Sequence, residues 1–165
     1  MKRLESLVGL RFSMVRRAAN MPMFHFGQIR PHSSGKGTVG EFSLHVQCAW
    51  RLDQAQRTIT GSEDLWEFGG LGDAPDNWNP SEGGFTVLDR ELDELLRGYD
   101  KDTRSSMNLT DKLIVTSISA NQSGDVTIHM KGDYCLRLFP TSPTSEAWRF
   151  FASSDKTHLV FPPEK

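Results

Sequence analysis

Cysteine is scarce in this sequence, which contains only Cys48 and Cys135. Both lie in apolar stretches typical of strands, where a free thiol packs as a small hydrophobic side chain. Neither belongs to a CxxC pair, so the usual spacing of a zinc site is missing. We therefore predict free thiols in a reducing compartment and no metal; a disulfide between adjacent strands is the alternative.

Long hydrophobic runs are also missing, since none approaches the roughly 20 residues that cross a bilayer. The N-terminal segment is basic and partly apolar, but Glu5, Arg11, Arg16 and Arg17 interrupt any signal-peptide core. Hydrophobic residues make up 37% and charged residues 24% of the chain, proportions typical of a folded domain. These features predict one cytoplasmic domain over residues 1–165, without membrane contact.

The standard catalytic and cofactor motifs do not occur. The string SSGKGT (33–38) contains Gly-Lys, but Gly37 stands where a phosphate-binding loop needs Ser or Thr. The string GGLGDAP (69–75) lacks a third glycine, and Pro75 blocks the helix that would face a phosphate. There is no GxSxG, HExxH or EF-hand spacing. We therefore predict no cofactor and assign no catalytic residue.

The segment EFSLHVQCAWRLDQ (41–54) is the clearest strand in the chain, because every second residue is apolar. It should pair with RTITG (57–61) through a short turn. From Leu113 onward, LIVTSISA, VTIHM and YCLRLFP alternate with turn residues and predict a three-strand meander. The strings AWRFFAS and THLVFP predict a final hairpin.

Helices are few. FTVLDRELDELLRG (85–98) is a predicted helix, in which Thr86 and Asp89 can form a capping box and Gly98 occupies the C′ position. The first segment, 4–19, is ambiguous, because residues 8–14 alternate as in a strand. We favour a helix over at least Met14 to Asn20, ended by Pro22, which cannot continue a helix interior.

These elements predict an α+β fold with a single, mostly antiparallel β-sheet of about seven to eight strands. The C-terminal half forms the meander, and an N-terminal helix and one central helix cover the sheet. Residues 62–84 form a long Gly-rich loop within the domain, longer than compact domains usually contain without a functional reason.

Charges of opposite sign are separated along the chain. Residues 1–36 are basic apart from Glu5, and residues 63–94 are acidic apart from Arg90. In one interpretation these segments face each other in the fold; in the other, the acidic segment attracts a basic partner. The pI of about 6.2 argues against nucleic-acid binding.

Tryptophan accompanies the acidic segment, and tryptophan is enriched at interface hot spots. Our leading hypothesis is therefore a non-enzymatic protein-binding domain with a basic protein partner. Its most concrete form is an immunity-type protein that neutralises a toxin domain, with the acidic surface speeding capture. The predicted partner-binding residues are Glu63, Asp64, Trp66, Glu67, Asp73, Asp76 and Trp78.

The alternative is a small-ligand-binding or hydrolytic enzyme domain that uses a polar row on the sheet face. A histidine in this row would act as acid or base, and arginines would clamp an anion. This hypothesis predicts a concave pocket and a histidine with a shifted pKa. Its residues are His45, Gln47, Arg51, Arg137 and Arg149. In a purely structural interpretation, the same arginines meet the acids of the central helix.

Three segments together resemble an uncharacterised family of short bacterial proteins. They are LVGLRFSMVRRAANMPMFHFG (7–27), GEFSLHVQCAWRLDQ (40–54) and SEAWRFFASSDKTHLVF (145–161). The family has no assigned activity. The resemblance therefore implies a bacterial, cytoplasmic, single-domain protein and supplies no catalytic residues.

Overall fold

The computed structural model describes residues 2–65, 86–100, 102–103 and 105–163. In this part of the chain the protein is mostly antiparallel β-structure with few helices, as the sequence predicts. The strands are β1 (Phe12–Ala18), β2 (Met21–Phe26), β3 (Arg30–Pro31), β4 (Thr38–Val39), β5 (Phe42–Val46), β6 (Ala49–Gln54), β7 (Arg57–Gly61), β8 (Tyr99–Asp100), β9 (Ser105–Met107), β10 (Val115–Ala120), β11 (Val126–Met130), β12 (Tyr134–Phe139), β13 (Trp148–Ala152) and β14 (Leu159–Phe161). The helices are α1 (Val87–Leu96) and two 3-10 helices, Lys2–Leu7 and Ser62–Leu65.

Two large antiparallel sheets organise these strands. The first sheet has the order β14-β13-β5-β2-β1-β9-β8, and the second has the order β10-β11-β12-β6-β7. The predicted meander is β10-β11-β12, and the predicted pairing of residues 41–54 with 57–61 is the β6-β7 hairpin. The final hairpin is β13-β14. These local pairings are confirmed.

The prediction of a single sheet, in contrast, is wrong. The chain leaves the first sheet after β5 and enters the second at β6, and the N–H groups of Gln47 and Cys48 at this junction both bond to Ala147 O. Apolar alternation continues through the junction, so the sequence pattern does not reveal it. The two sheets share one core, in which Phe24 meets Trp50 edge-on with ring centroids 5.0 Å apart.

The predicted N-terminal helix is also wrong, because most of Met14 to Asn20 forms β1, which pairs with β2 and β9. A bulge between Phe12 and Met14 allows both Phe12 and Val15 to pack in the core. A helix this short is marginal in isolation, and tertiary packing decides the conformation. The helical segment at this end of the chain is the 3-10 helix Lys2–Leu7, which buries Leu4 and Leu7.

The predicted central helix is present as α1. Thr86 and Asp89 form the capping box, and Leu88, Leu92 and Leu96 are buried. The helix ends one residue earlier than expected, because Arg97 adopts the left-handed conformation (φ 70°) that we assigned to Gly98. No helix in the described ranges is long and apolar enough to cross a membrane. Residues 66–84 of the predicted Gly-rich loop lie outside the described residues.

The segment between β2 and β5 folds back over the outer face of the first sheet. We call residues 28–40 the flap; it contains the short β3-β4 hairpin. Arg16 Nη1 donates to Thr38 O across 3.0 Å, and the Gly40 N–H donates to the ring of His25 across 3.2 Å. These hydrogen bonds fasten the end of the flap to β1 and β2.

Candidate functional site

The outer face of the first sheet carries two rows of side chains across β2, β5 and β13. On the opposite, inner face of the same strands, Phe24, Leu44 and Phe150 are in register and point into the core. Because side chains alternate along a strand, their neighbours point outward. One outward row is Met23, His45 and Arg149, and the other is His25, Ser43 and Phe151.

A cleft of about 400 Å³ lies between this face and the flap. We call it the histidine cleft. Its lining residues are Met23, His25, Arg30, Pro31, His32, Ser33, Val39, Ser43, His45, Phe151, Ser153 and Ser154. The described residues that line it include one arginine and three histidines and no carboxylate, so no charged lining group repels an anion.

His25 forms the floor of the histidine cleft and is only 2% exposed. Its Nδ1 accepts the backbone N–H of Gly40 and lies 2.9 Å from Ser43 Oγ. A backbone N–H can only donate, so Nδ1 carries a lone pair and Nε2 carries the hydrogen. Burial, aided by nearby His45 and Arg16, lowers the pKa of His25 to about 3. His25 is therefore a neutral N–H donor at physiological pH.

The Ser43–His25 contact is not a catalytic pair. A general base works best with a pKa near the operating pH, and the pKa of His25 is far below that range. Ser43 is 1% exposed and shares Nδ1 with the Gly40 N–H. The contact therefore orients the imidazole ring and does not activate a nucleophile.

His32 and His158 have the same tautomer as His25. The Ser34 N–H donates to His32 Nδ1 across 3.1 Å, and Arg149 Nη1 lies 3.2 Å from His158 Nδ1. Both partners can only donate, so each ring presents its hydrogen on Nε2. A metal would need a nitrogen lone pair. Within the described ranges, no group of three or more His, Cys, Asp or Glu residues could hold a metal ion.

His45 lies between the cleft and a polar network on β13. Its ring meets Phe151 edge-on with centroids 5.0 Å apart, and Phe151 stacks on His158 at 4.5 Å. Burial lowers the pKa of His45, and nearby Arg149 and His158 lower it further, against the opposing effect of Glu146. An anion bound nearby would raise the pKa of His45, as Glu146 does.

Glu146 connects the predicted ligand residues Gln47 and Arg149. It accepts two hydrogen bonds from Arg149, at 3.0 and 2.7 Å, and one from Gln47 Nε2 at 3.3 Å. The hydrogen bond from Arg149 lowers the pKa of Glu146. The structure thus brings His45, Gln47 and Arg149 together.

Arg51 and Arg137, the other two residues of the predicted row, lie in the second sheet. They face each other in register on β6 and β12 and both form ion pairs with Asp53, whose side chain is 6% exposed. Thr58 Oγ1 donates to the same carboxylate across 2.9 Å. The predicted row is therefore two separate groups, because the strand changes sheets at Gln47–Cys48.

Two residues of the predicted acidic surface, Glu63 and Asp64, are among the described residues. Glu63 is exposed, whereas Asp64 accepts hydrogen bonds from Thr60 Oγ1 at 2.7 Å and from the Gly61 N–H at 3.1 Å. The remaining predicted partner-binding residues lie outside the described residues; they are Trp66, Glu67, Asp73, Asp76 and Trp78.

The acids of α1 form ion pairs with Arg17 of β1 and with Arg90 of α1 itself. Asp89 pairs with Arg17 of β1 at 2.8 Å, with both side chains nearly buried, and Glu91 pairs with its neighbour Arg90. The basic N-terminal segment therefore neutralises part of the acidic segment, as one interpretation of the charge separation expected.

The thiols are free, as predicted from the sequence. Cys135 is buried and Cys48 is half-buried. Burial raises the pKa of both thiols, which lowers the thiolate fraction and hence their nucleophilicity.

The sequence did not indicate which residues form the floor of the cleft or which residues the flap contributes. His25 lies between Phe24 and Phe26 in a strand, so period-2 alternation places it on the face opposite the core. That signal could have joined His25 to His45. Arg30 lies in the two-residue strand β3 and His32 follows it, and only the folded flap brings them to the sheet.

Comparison of the chain with protein-family models, curated proteins and solved structures finds no match. The resemblance of three segments to a family of short bacterial proteins stays an expectation, and the functional argument comes from the geometry alone.

Proposed function

We propose that this protein binds a small anionic molecule in the histidine cleft. The observation that carries the proposal is the composition of the lining: Arg30 and three histidines converge there, and no carboxylate lines it within the described part of the chain. The volume of about 400 Å³ lies in the range of small-ligand sites. Apolar walls with a few convergent polar groups are typical of such sites.

The histidines support an acceptor ligand in particular. His25 and His32 both accept a backbone N–H at Nδ1 and therefore offer Nε2–H as a donor. A carboxylate or phosphate oxygen can accept these hydrogens, whereas an ammonium group cannot. Hydrogen bonds to an ionised acceptor are about twice as strong as neutral ones, so donors of this kind give useful affinity.

Binding without catalysis is the better supported form of this proposal. His25 is too weak a base, and Ser43 is buried beside it. His45 has a lowered pKa and is half-buried, which suits recognition of an anion by a polarisable N–H group. A covalent hydrolytic mechanism would need an activated protein nucleophile, and neither thiol nor Ser43 meets that requirement.

Isothermal titration calorimetry with a panel of small ions tests the proposal. The panel contains hexanoate, benzoate and inorganic phosphate, with hexanamide and hexylamine as neutral and cationic counterparts. We expect at least one anion to bind and the counterparts not to bind. His45→Gln should weaken binding of the anion, whereas His129→Gln, on the exposed face of β11, should leave it unchanged. Equal binding of hexanamide and hexanoate would contradict the proposal.

A further inference from the structure

We infer that the ligand of the histidine cleft is a monocarboxylate with a short apolar body, and that a carboxylate oxygen accepts a hydrogen bond from Nε2 of His25. This inference rests on the proposed function and specifies the ligand class. It combines three observations: a buried donor without an acceptor, a floor that carries little charge, and apolar side chains in the walls.

The first observation is the donor. The Nε2 atom of His25 is buried and has no hydrogen-bond partner among the described residues, although its ring lines the cleft. A buried N–H without an acceptor is unfavourable, because it has lost its hydrogen bond to water and gained none in the protein. Arg16 Nε, close enough to affect His25, is a second buried donor without a partner in the described ranges. Because Nε2 itself is buried, an oxygen acceptor in the cleft would reach it after a small rotation of the ring toward the cleft, and would then remove the penalty at that residue.

The second observation is the modest charge of the site. His25 is neutral, and Arg30 is exposed and already donates to Gln28 Oε1 across 3.3 Å. Phosphate sites usually provide a bidentate arginine or a helix N-terminus. Neither a buried arginine nor a helix lines the cleft among the described residues. Because the cost of desolvating an ion rises with the square of its charge, a monoanion fits this floor better than a dianion.

The third observation is the wall. Met23, Pro31, Val39 and Phe151 contribute apolar surface beside the imidazoles. Phe151 packs against the rings of His45 and His158. Inorganic phosphate or sulfate would leave this surface without a partner. An alkyl or aryl carboxylate would bury this surface, and each methylene group removed from water would strengthen binding.

Nitrogen-15 NMR of the histidine rings tests the inference on the intact wild-type chain. Hexanoate is the probe, and inorganic phosphate and hexanamide are the comparison ligands. We expect hexanoate to shift the Nε2–H signals of His25 saturably, and phosphate and hexanamide to leave them in place. His25→Asn keeps an acceptor near the Nδ1 position and removes the Nε2 donor. This variant should bind hexanoate roughly tenfold more weakly or worse, because one charge-assisted hydrogen bond is lost.

His129→Asn is the matched control, because it makes the same change on an exposed strand position outside the cleft. It should leave hexanoate affinity unchanged. If phosphate binds in the cleft and hexanoate does not, the carboxylate inference is overturned while the proposed function stands. If hexanoate binds without moving the His25 signals, the assigned hydrogen bond is overturned. If no anion binds, the proposed function itself fails.

Discussion

The backbone N–H of Gly40 donates a hydrogen bond to Nδ1 of His25 across 3.2 Å. This single contact joins the end of the flap to the floor of the histidine cleft and fixes the tautomer of the ring. Because Nδ1 is occupied as an acceptor, the hydrogen resides on Nε2, and the ring can act only as a donor toward the cleft. In the proposed binding mode, the backbone of the flap therefore restricts the floor to ligands that accept a hydrogen bond.

Acid should destabilise the protein through His25. Its pKa is about 3 in the folded state and about 6.5 in an unfolded chain, so only the unfolded state takes up the proton between these values. Stability is full above pH 6.5 and falls as the pH decreases, by about 2 kcal/mol at pH 5 from this residue alone. Urea unfolding at several pH values measures this change.

The matched variants for this measurement are His25→Asn and His129→Asn. His25→Asn should be less stable than wild type at pH 7, yet lose about 2 kcal/mol less between pH 6.5 and pH 5. His129→Asn should keep the wild-type pH dependence, since that side chain is exposed. A wild-type pH dependence in His25→Asn would show that the buried ring does not control acid stability.

Anion affinity should rise as the pH falls from 7.5 to 6. Burial lowers the pKa of His45, so its ring is mostly neutral at neutral pH. A bound anion stabilises the imidazolium form, so binding is coupled to proton uptake and the pKa of His45 rises. Calorimetry in buffers of different ionisation enthalpy measures the protons taken up. His45→Gln should reduce this uptake, and binding that strengthens with rising pH would contradict the account.

The predicted polar row of His45, Gln47, Arg51, Arg137 and Arg149 should divide into two groups in function as it does in structure. Arg149→Gln removes a neighbour of His45 and is expected to change anion affinity. Arg51→Gln and Arg137→Gln are expected to leave it unchanged, because both residues belong to the Asp53 cluster of the second sheet. Their effect should appear in thermal unfolding instead. Equal losses of affinity in all three variants would mean that the two groups act as one site.

The protein-binding hypothesis makes a separate prediction. If the acidic segment captures a basic partner by electrostatic steering, Glu63→Lys combined with Glu67→Lys should slow association and weaken its salt dependence. Surface plasmon resonance with a partner captured from host lysate measures both. Arg51→Gln serves as a control outside the acidic segment. An unchanged association rate in the charge-reversed variant would remove the acidic surface from the mechanism.

Local structure was predictable from the sequence where local signals suffice. Alternation identified β10, β11 and β12, and the capping box of Thr86 and Asp89 located the start of α1. The segment Met14 to Asn20 was assigned incorrectly, because its pairing with β2 and β9 depends on tertiary contacts that helix signals do not contain.

The candidate site was only partly predictable. His45 and Arg149 are far apart in the chain, and the similarity of their strand positions correctly suggested one group. The inclusion of Arg51 failed because the apolar period is unchanged where the chain switches sheets. The contribution of the flap was not accessible at all, since Gly40 and His32 reach the sheet only after the loop has folded.

Binding of an anion in the histidine cleft is tested most directly by titrating the isotope-labelled wild-type protein with hexanoate and following every backbone amide by NMR. The account predicts saturable shifts at the residues that line the histidine cleft, such as Ser43, His45 and Ser153, and none with hexanamide. Absence of saturation at millimolar hexanoate, or shifts confined to the second sheet, would contradict it.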